Sequence, residues 1–402
     1  MKDVIVVGAG PAGNMAALSL AGSGHRVTVL DWRRTIGDKL CTGIIGKECV
    51  ERFPPDEKQV YRKARAATVV SPEGRRYGVA REDVQAFIID RVAYVDSIAC
   101  RAMEAGADYM LGRRVTAIET DRSGVTVTAV GESGRHVYRA EMVIVAGGFG
   151  SPLLDMVGLA DRGNRHFLMG VQEEVEAESI DETEVHLGSA IAPGSFGWVV
   201  PVSEDRALVG ILSREKLNGH LDRFMDSLRS TGKVRGPTGN PRRWGIPLKP
   251  LRRTYADRVL VVGDAAGLAK PTTGGGIYYA LRSGEIAGDA AARAFSTGDF
   301  TARMLKRYQD GWQALFGSEL ATGYSARLLY ESLDDRQIER LLGKFLSPDV
   351  QEELIRSRDF SFDWHSGLIF RLVGHRDLNP IFRSLGPALT PLLLRLGVAR
   401  LV

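Results

Sequence analysis

Val4-Ile5-Val6-Val7-Gly8-Ala9-Gly10-Pro11-Ala12-Gly13, followed by Val27-Thr28-Val29-Leu30-Asp31, is the stretch on which the fold turns. A short β-branched run enters a glycine-rich turn, then an Ala- and Leu-rich segment at 14–21 suited to a helix laid close on a sheet, then a second apolar strand at 27–30. That is a βαβ unit within about thirty residues. Gly8, Gly10 and Gly13 fit G-x-G-x-x-G between a strand and a helix, and Asp31 follows Gly13 by 18 residues. Bare glycines let a pyrophosphate approach backbone N–H groups at the positive helix end, while the acid accepts hydrogen bonds from ribose hydroxyls. Gly8, Gly10, Ala12, Gly13 and Asp31 are therefore the predicted dinucleotide site. A purely structural glycine turn is the competing reading.

Much further along, Val259-Leu260-Val261-Val262-Gly263-Asp264-Ala265-Ala266-Gly267 and Pro271-Thr272-Thr273-Gly274-Gly275-Gly276-Ile277 supply another strand, acid and glycine-rich helix start. A nicotinamide cofactor has no use for this second element, whereas FAD needs an acceptor for its ribitol hydroxyls and donors for its flavin. Asp264 with Gly274, Gly275, Gly276 and Ile277 would provide them. A positive helix end near flavin N1 and O2 favours the anionic reduced ring by about 0.3–2 kcal/mol. The alternative is a surface acid beside a glycine loop.

The rest of the chain narrows the class. At 402 residues it is long enough for two to three domains, and 44% apolar with 25% charged residues is ordinary for a globular protein. A formal charge of +4 gives no reason to expect a nucleic-acid partner. Three cysteines, Cys41, Cys49 and Cys100, make neither a disulfide framework nor the four thiolates of an ordinary iron–sulfur cluster, so a reducing cytoplasm is expected and no metal site is predicted. The N-terminus lacks the pattern of a signal peptide, and no stretch reaches the roughly 18 apolar residues of a membrane span.

Patterning predicts a hairpin at 69–79, a helix at 91–105, and strands at 114–119, 125–130, 136–139 and 142–146, a three-stranded β insertion returning to the main sheet. Alternation at 170–175, 184–187, 197–201 and 206–212 reads as a second, mostly antiparallel sheet, followed by a helix at 217–228. After a strand at 258–262 and a helix from about 276, helical patterns such as 304–315 and 337–345 take over. The expected fold is α/β: a Rossmann-like FAD-binding domain (1–65, 86–160 and 250–298) with a β insertion, an antiparallel-sheet substrate domain (66–85 and 161–249), and a C-terminal helical region (299–402).

These motifs, with Gly37-Asp38-Lys39-Leu40-Cys41, Arg91 with Asp96, and Ala192-Pro193-Gly194-Ser195-Phe196-Gly197-Trp198-Val199-Val200-Pro201, give the chain a family likeness. Over nearly its whole length it resembles the geranylgeranyl reductase family of flavoproteins, within the p-hydroxybenzoate hydroxylase-like group. The resemblance implies FAD as cofactor and reduction of isoprenoid carbon–carbon double bonds on ether lipids, prenyl diphosphates, chlorophyll side chains or quinone tails. It also implies that Ala12, Gly13 and Asp31 hold the adenosine half, with Arg91 and Val115 flanking adenine and pyrophosphate. Asp264, Gly276 and Ile277 would line the ribitol and flavin, Cys41 and Thr42 the loop facing the ring, and Phe196 and Trp198 the aromatic roof over an isoprenoid. Where the wider group has Ala-Asp-Gly-x-x-Ser, this chain reads Ala146-Gly147-Gly148-Phe149-Gly150-Ser151. The electron donor is thus left open among a nicotinamide, ferredoxin and a quinol.

An isolated alkene has no carbonyl to take up charge, so hydride transfer must be matched by a proton at the neighbouring carbon in a site that excludes water. Cys41 is the candidate proton donor, since a thiol walled by apolar groups keeps its proton. A loop cysteine that merely packs is the bland alternative. The segment 389–396 with Arg395 and Arg400 reads either as a greasy wall meeting an anionic bilayer surface or as a helix packed on its own domain. Two rival functions stay open here: an FAD-dependent monooxygenase or halogenase of the same fold, and a non-catalytic prenyl carrier.

Overall fold

The computed structural model describes residues 2–161, 163, 166–178, 180–214, 217, 219–236, 239–347, 350, 352, 357 and 361–374. The chain forms two units: Met1–Lys39, Arg91–His166 and Ile246–Leu320 make the first, and Leu40–Asp90, Phe167–Gly245 and Ala321–Val402 the second.

The first unit is built on the β-branched runs that opened the sequence. Lys2–Val7 lies parallel between Val27–Asp31 on one side and the end of Gly134–Val145 on the other. Val259–Val261 and Asp108–Leu111 extend the sheet in parallel, and Tyr255–Ala256 closes one edge antiparallel. Val4, Ile5, Val6, Val27, Val29 and Leu30 are fully buried, as expected of strands covered on both faces. The insertion strands Arg114–Asp121 and Gly124–Gly131 hang from Gly134–Val145. Sequence patterning divides that last strand into 136–139 and 142–146. It is continuous, because its first half pairs antiparallel with the insertion and its second half parallel with Lys2–Val7.

Helices Pro11–Gly22 and Ile277–Thr297 pack closely, and small residues make this possible. A Cβ at Gly284 would collide with the Ala12 carbonyl oxygen, and one at Gly288 with the Ser19 side chain. Ala12 Cβ likewise reaches to 2.9 Å from the position a Cβ on Gly263 would take. The two glycine motifs, some 250 residues apart, are thereby brought together.

In the second unit, Phe167–Ala177, Arg206–Ser213, Phe196–Pro201 and Thr183–Leu187 form an antiparallel core. Ala66–Val70 joins it in parallel, with the predicted hairpin partner Arg76–Ala80 outside. Helix His220–Ser230 covers one face, burying Leu221, Phe224, Met225 and Leu228 against Val171, Val199, Val209 and Ile211. A separate small sheet pairs Ile44–Gly46 and Val60–Ala64 with Ala86–Ile89. The second unit takes in 40–65 and 86–90, both expected in the dinucleotide-binding domain, together with this small sheet. The expected C-terminal region also divides: helix Ala302–Glu331 begins in the first unit, and residues from Ala321 onward belong to the second. The segment 389–402 lies outside the described residues, among which no helix is long and apolar enough to cross a membrane.

Candidate active site

In the first unit, Gly8 has φ +116°, and a Cβ there would strike the Ala146 carbonyl oxygen; a Cβ at Gly13 would strike the carbonyl oxygen of Gly8. Both glycines are needed for the turn itself. Gly10 differs: it caps helix Pro11–Gly22 without any side-chain bond, and a Cβ there would have nothing within 4 Å. Open space at the positive end of a helix suits a pyrophosphate. Asp31 closes this cradle, its Oδ2 accepting from Ala9 N–H at 2.7 Å and its Oδ1 from Arg33 N–H at 2.7 Å. Each carboxylate oxygen retains a lone pair for a ribose hydroxyl. Val115 is buried in the strand whose approach is fixed by the Arg113 N–H bond to the Asp31 carbonyl, at 2.8 Å.

The second predicted motif lies in the same unit. Asp264 sits in the short helical turn Gly263–Ala266, and its carboxylate pairs with the Lys39 ammonium. Asp264 Oδ1 lies 3.0 Å from where a Cβ on Gly276 would be, and Gly276 is the N-cap of helix Ile277–Thr297. Gly274, with φ +75°, donates its N–H to the Lys270 carbonyl, while Lys270 N–H donates to the Gly275 carbonyl at 2.9 Å. The buried Lys270 stem then fills the space beside Gly275, its Cε 2.8 Å from that residue's would-be Cβ. Arg91 is buried and holds the 37–39 loop through the carbonyls of Gly37 and Lys39. Open space at Gly10, an acid beside that turn, and a second acid beside a glycine-lined helix start together fit FAD.

Cys41 and Thr42 belong to the second unit, where the Thr42 hydroxyl and the Gln172 Oε1 lie 3.1 Å apart. The same Gln172 oxygen accepts from the Trp198 indole N–H at 3.1 Å. Register explains this row: Gln172 and Trp198 both stand opposite Gly210, on the sheet face away from helix His220–Ser230. Gly210 leaves room for the Trp198 indole and Gly170 for that of Trp244, whose rings reach to 2.9 Å or closer to those would-be Cβ positions. Phe196, Trp198 and Trp244 make successive edge-to-face contacts, each with centroids 6.1 Å apart. The predicted aromatic pair is thus a trio.

The sequence reading assigned no role to Lys39, Lys270, Gln172 or Trp244. Lys39 lies within a motif already singled out, but its carboxylate partner is 225 residues away. Gln172, one of several polar residues in its strand beside Glu173 and Glu174, is a weak signal that only a buried donor makes meaningful. Among the described residues no three His, Cys, Asp or Glu side chains form a metal site.

Residues 2–188 match the pyridine nucleotide-disulphide oxidoreductase family. A digeranylgeranylglycerophospholipid reductase of Methanopyrus kandleri is 33% identical, over 88% of this chain and 96% of its own length. The enzyme of the same name from Methanocaldococcus jannaschii is 29% identical over 84% of this chain and 89% of its own. Among solved structures, a geranylgeranyl bacteriochlorophyll reductase-like protein from Thermoplasma acidophilum superimposes with a TM-score of 0.81 at 23% identity, covering 94% of this chain and 99% of that one. A flavin-dependent brominase shares the fold more loosely, with a TM-score of 0.67 at 16% identity, over 88% of this chain and 92% of its own. With its likeness running almost from end to end, the chain belongs to the digeranylgeranylglycerophospholipid reductase family of FAD-dependent oxidoreductases.

Proposed function

We propose that this enzyme saturates carbon–carbon double bonds in the isoprenoid chains of a phosphate-bearing lipid. The observation that carries the reading is its 33% identity, over nearly the full length, with a relative named for that reaction. Bound FAD, once reduced, supplies the hydride equivalent. The residues of this chain do the rest. The N–H groups following Gly10 bind the pyrophosphate, Asp31 the adenosine ribose and Asp264 the ribitol, with Lys39 holding the Asp264 carboxylate in place. Phe196, Trp198 and Trp244 offer an apolar surface that excludes water from an alkene.

Cys41 is the proposed proton donor. It follows Lys39 by two residues, and its thiol is half-buried and free of any disulfide. In single turnover, Cys41→Ala is expected to slow alkene reduction by at least about 10²-fold, the usual scale for a lost general acid, while Cys41→Ser retains part of the rate. A Cys41→Ala enzyme with the wild-type rate removes this role.

The reading as a whole is tested by mixing anaerobically reduced enzyme with digeranylgeranylglycerol phosphate. Flavin reoxidation, with a product heavier by two hydrogens per bond reduced, is the expected result. Reduced flavin that persists while the lipid returns unchanged overturns it. Peripheral membrane contact belongs to the same proposal, and failure to float with anionic vesicles removes it.

A further inference from the structure

The carboxamide of Gln172 stands in the aromatic row with only its oxygen engaged. Its Oε1 accepts from the Trp198 indole N–H and from the Thr42 hydroxyl, each at 3.1 Å. An indole N–H can only donate, so the amide cannot turn over without setting donor against donor, and its orientation is fixed. Both lone pairs of the oxygen are thereby occupied. The Nε2 group makes no hydrogen bond among the described residues, although Gln172 is only 2% exposed. Nor is Nε2 among the fully enclosed polar atoms left without a partner, so it borders open space. Unmet donors on so buried a side chain are costly and call for a bound acceptor.

The surroundings define the chemistry of that acceptor. Pairing through Gly210 puts Gln172 and Trp198 on one face of the sheet, and the side chains sharing that face around them are Leu208 and Leu212 of one strand and Phe196 and Val200 of the next. Along the strand of Gln172 itself, the neighbours on that face are Gly170, beneath the Trp244 indole, and Glu174. Arg206, the cation on this face, is paired with Glu174. A phosphate would therefore find a carboxylate close by and no guanidinium to spare. A neutral oxygen fits instead: an amide N–H donates readily to an ether or hydroxyl oxygen, while the indoles and aliphatic side chains suit the apolar chain attached to it.

We propose that the Gln172 carboxamide is a specificity-determining donor of the substrate site, its N–H bonding the uncharged ether or hydroxyl oxygen at the head of a prenyl chain that lies along the aromatic row. The assignment rests on the prenyl-lipid reading above and adds to it the point at which the chain is registered.

The test is competitive binding of farnesyl methyl ether, and of the hydrocarbon in which a methylene replaces its oxygen, to wild-type and Gln172→Met holoenzyme. Taking the ratio of the two affinities cancels whatever the substitution does through Trp198 alone. Gln172→Met lacks the donors and should shift that ratio toward the hydrocarbon by at least about fivefold, the scale of one neutral hydrogen bond. Should Gln172→Met fail to fold, the same comparison in a Trp198→Phe background, where no indole N–H is orphaned, gives the shift. A ratio unchanged within about twofold overturns the site, and so does a wild-type enzyme that binds neither ligand. An unchanged ratio accompanied by an altered flavin absorbance spectrum would assign the donor to a flavin carbonyl instead. A shifted ratio in an enzyme that, once reduced, returns digeranylgeranylglycerol phosphate unchanged upholds the site, and it is then the reductase reading that falls.

Discussion

At the scale of single residues, Gln172 shows how a buried polar atom orders an apolar surface. Its one oxygen faces both the Trp198 indole N–H and the Thr42 hydroxyl. The half-buried Thr42 can turn to water, whereas the Trp198 N–H, under a nearly fully buried ring, has nowhere to go. Gln172→Leu is therefore expected to lower the unfolding free energy by about 1–3 kcal/mol, the cost of one unsatisfied buried donor. Urea denaturation measures it, and the loss should shrink when the same change is made in a Trp198→Phe background. Equal losses in both backgrounds would mean that packing alone is responsible.

At the scale of elements, the turn into helix Pro11–Gly22 contains glycines of two kinds. Gly13→Ala forces a Cβ onto the Gly8 carbonyl oxygen and should cost about 1–3 kcal/mol as well as the flavin. Gly10→Ala meets open space in the protein itself and should cost less than about 1 kcal/mol, yet its methyl group stands where the pyrophosphate belongs. Flavin content after purification, set beside the melting transition, separates the two: Gly10→Ala should be folded and colourless. A yellow Gly10→Ala protein would mean that the cofactor lies elsewhere. The same element also explains what the sequence made legible. Asp31 and Asp264 are legible as candidates because strand, turn and helix fix the distance from glycine to acid within a few residues. Lys39, Gln172 and Trp244 could not, since their roles depend on partners supplied by distant strands. The small sheet is not legible for a related reason: Ile44–Gly46 is a three-residue strand that only its pairing with Ala86–Ile89 defines.

At the scale of the whole molecule, stability in acid should depend on one carboxylate. Burial alone would push the Glu184 carboxyl up, but hydrogen bonds from His186 at 2.9 Å, from Arg76 at 2.7 Å and from Lys233 hold it far below the usual carboxylate range. A group whose pKa is depressed by folding contributes stability that is fully present above its unfolded value, about 4.3 for a glutamate, and is lost as pH falls toward the folded value. The unfolded chain takes up the proton first, so the native state weakens progressively below about pH 4–5. Glu184→Gln removes both the charge and this linkage. At pH 7 it should cost about 3 kcal/mol, because Lys233 is left partly buried without its counter-charge. Below about pH 4 the difference from wild type should narrow, since the native protein has then lost part of the same contribution. Denaturant midpoints measured from pH 7 down to pH 3 give the two curves. Parallel curves would show that Glu184 titrates alike in the folded and unfolded chain, and the acid limb would then belong to other carboxylates.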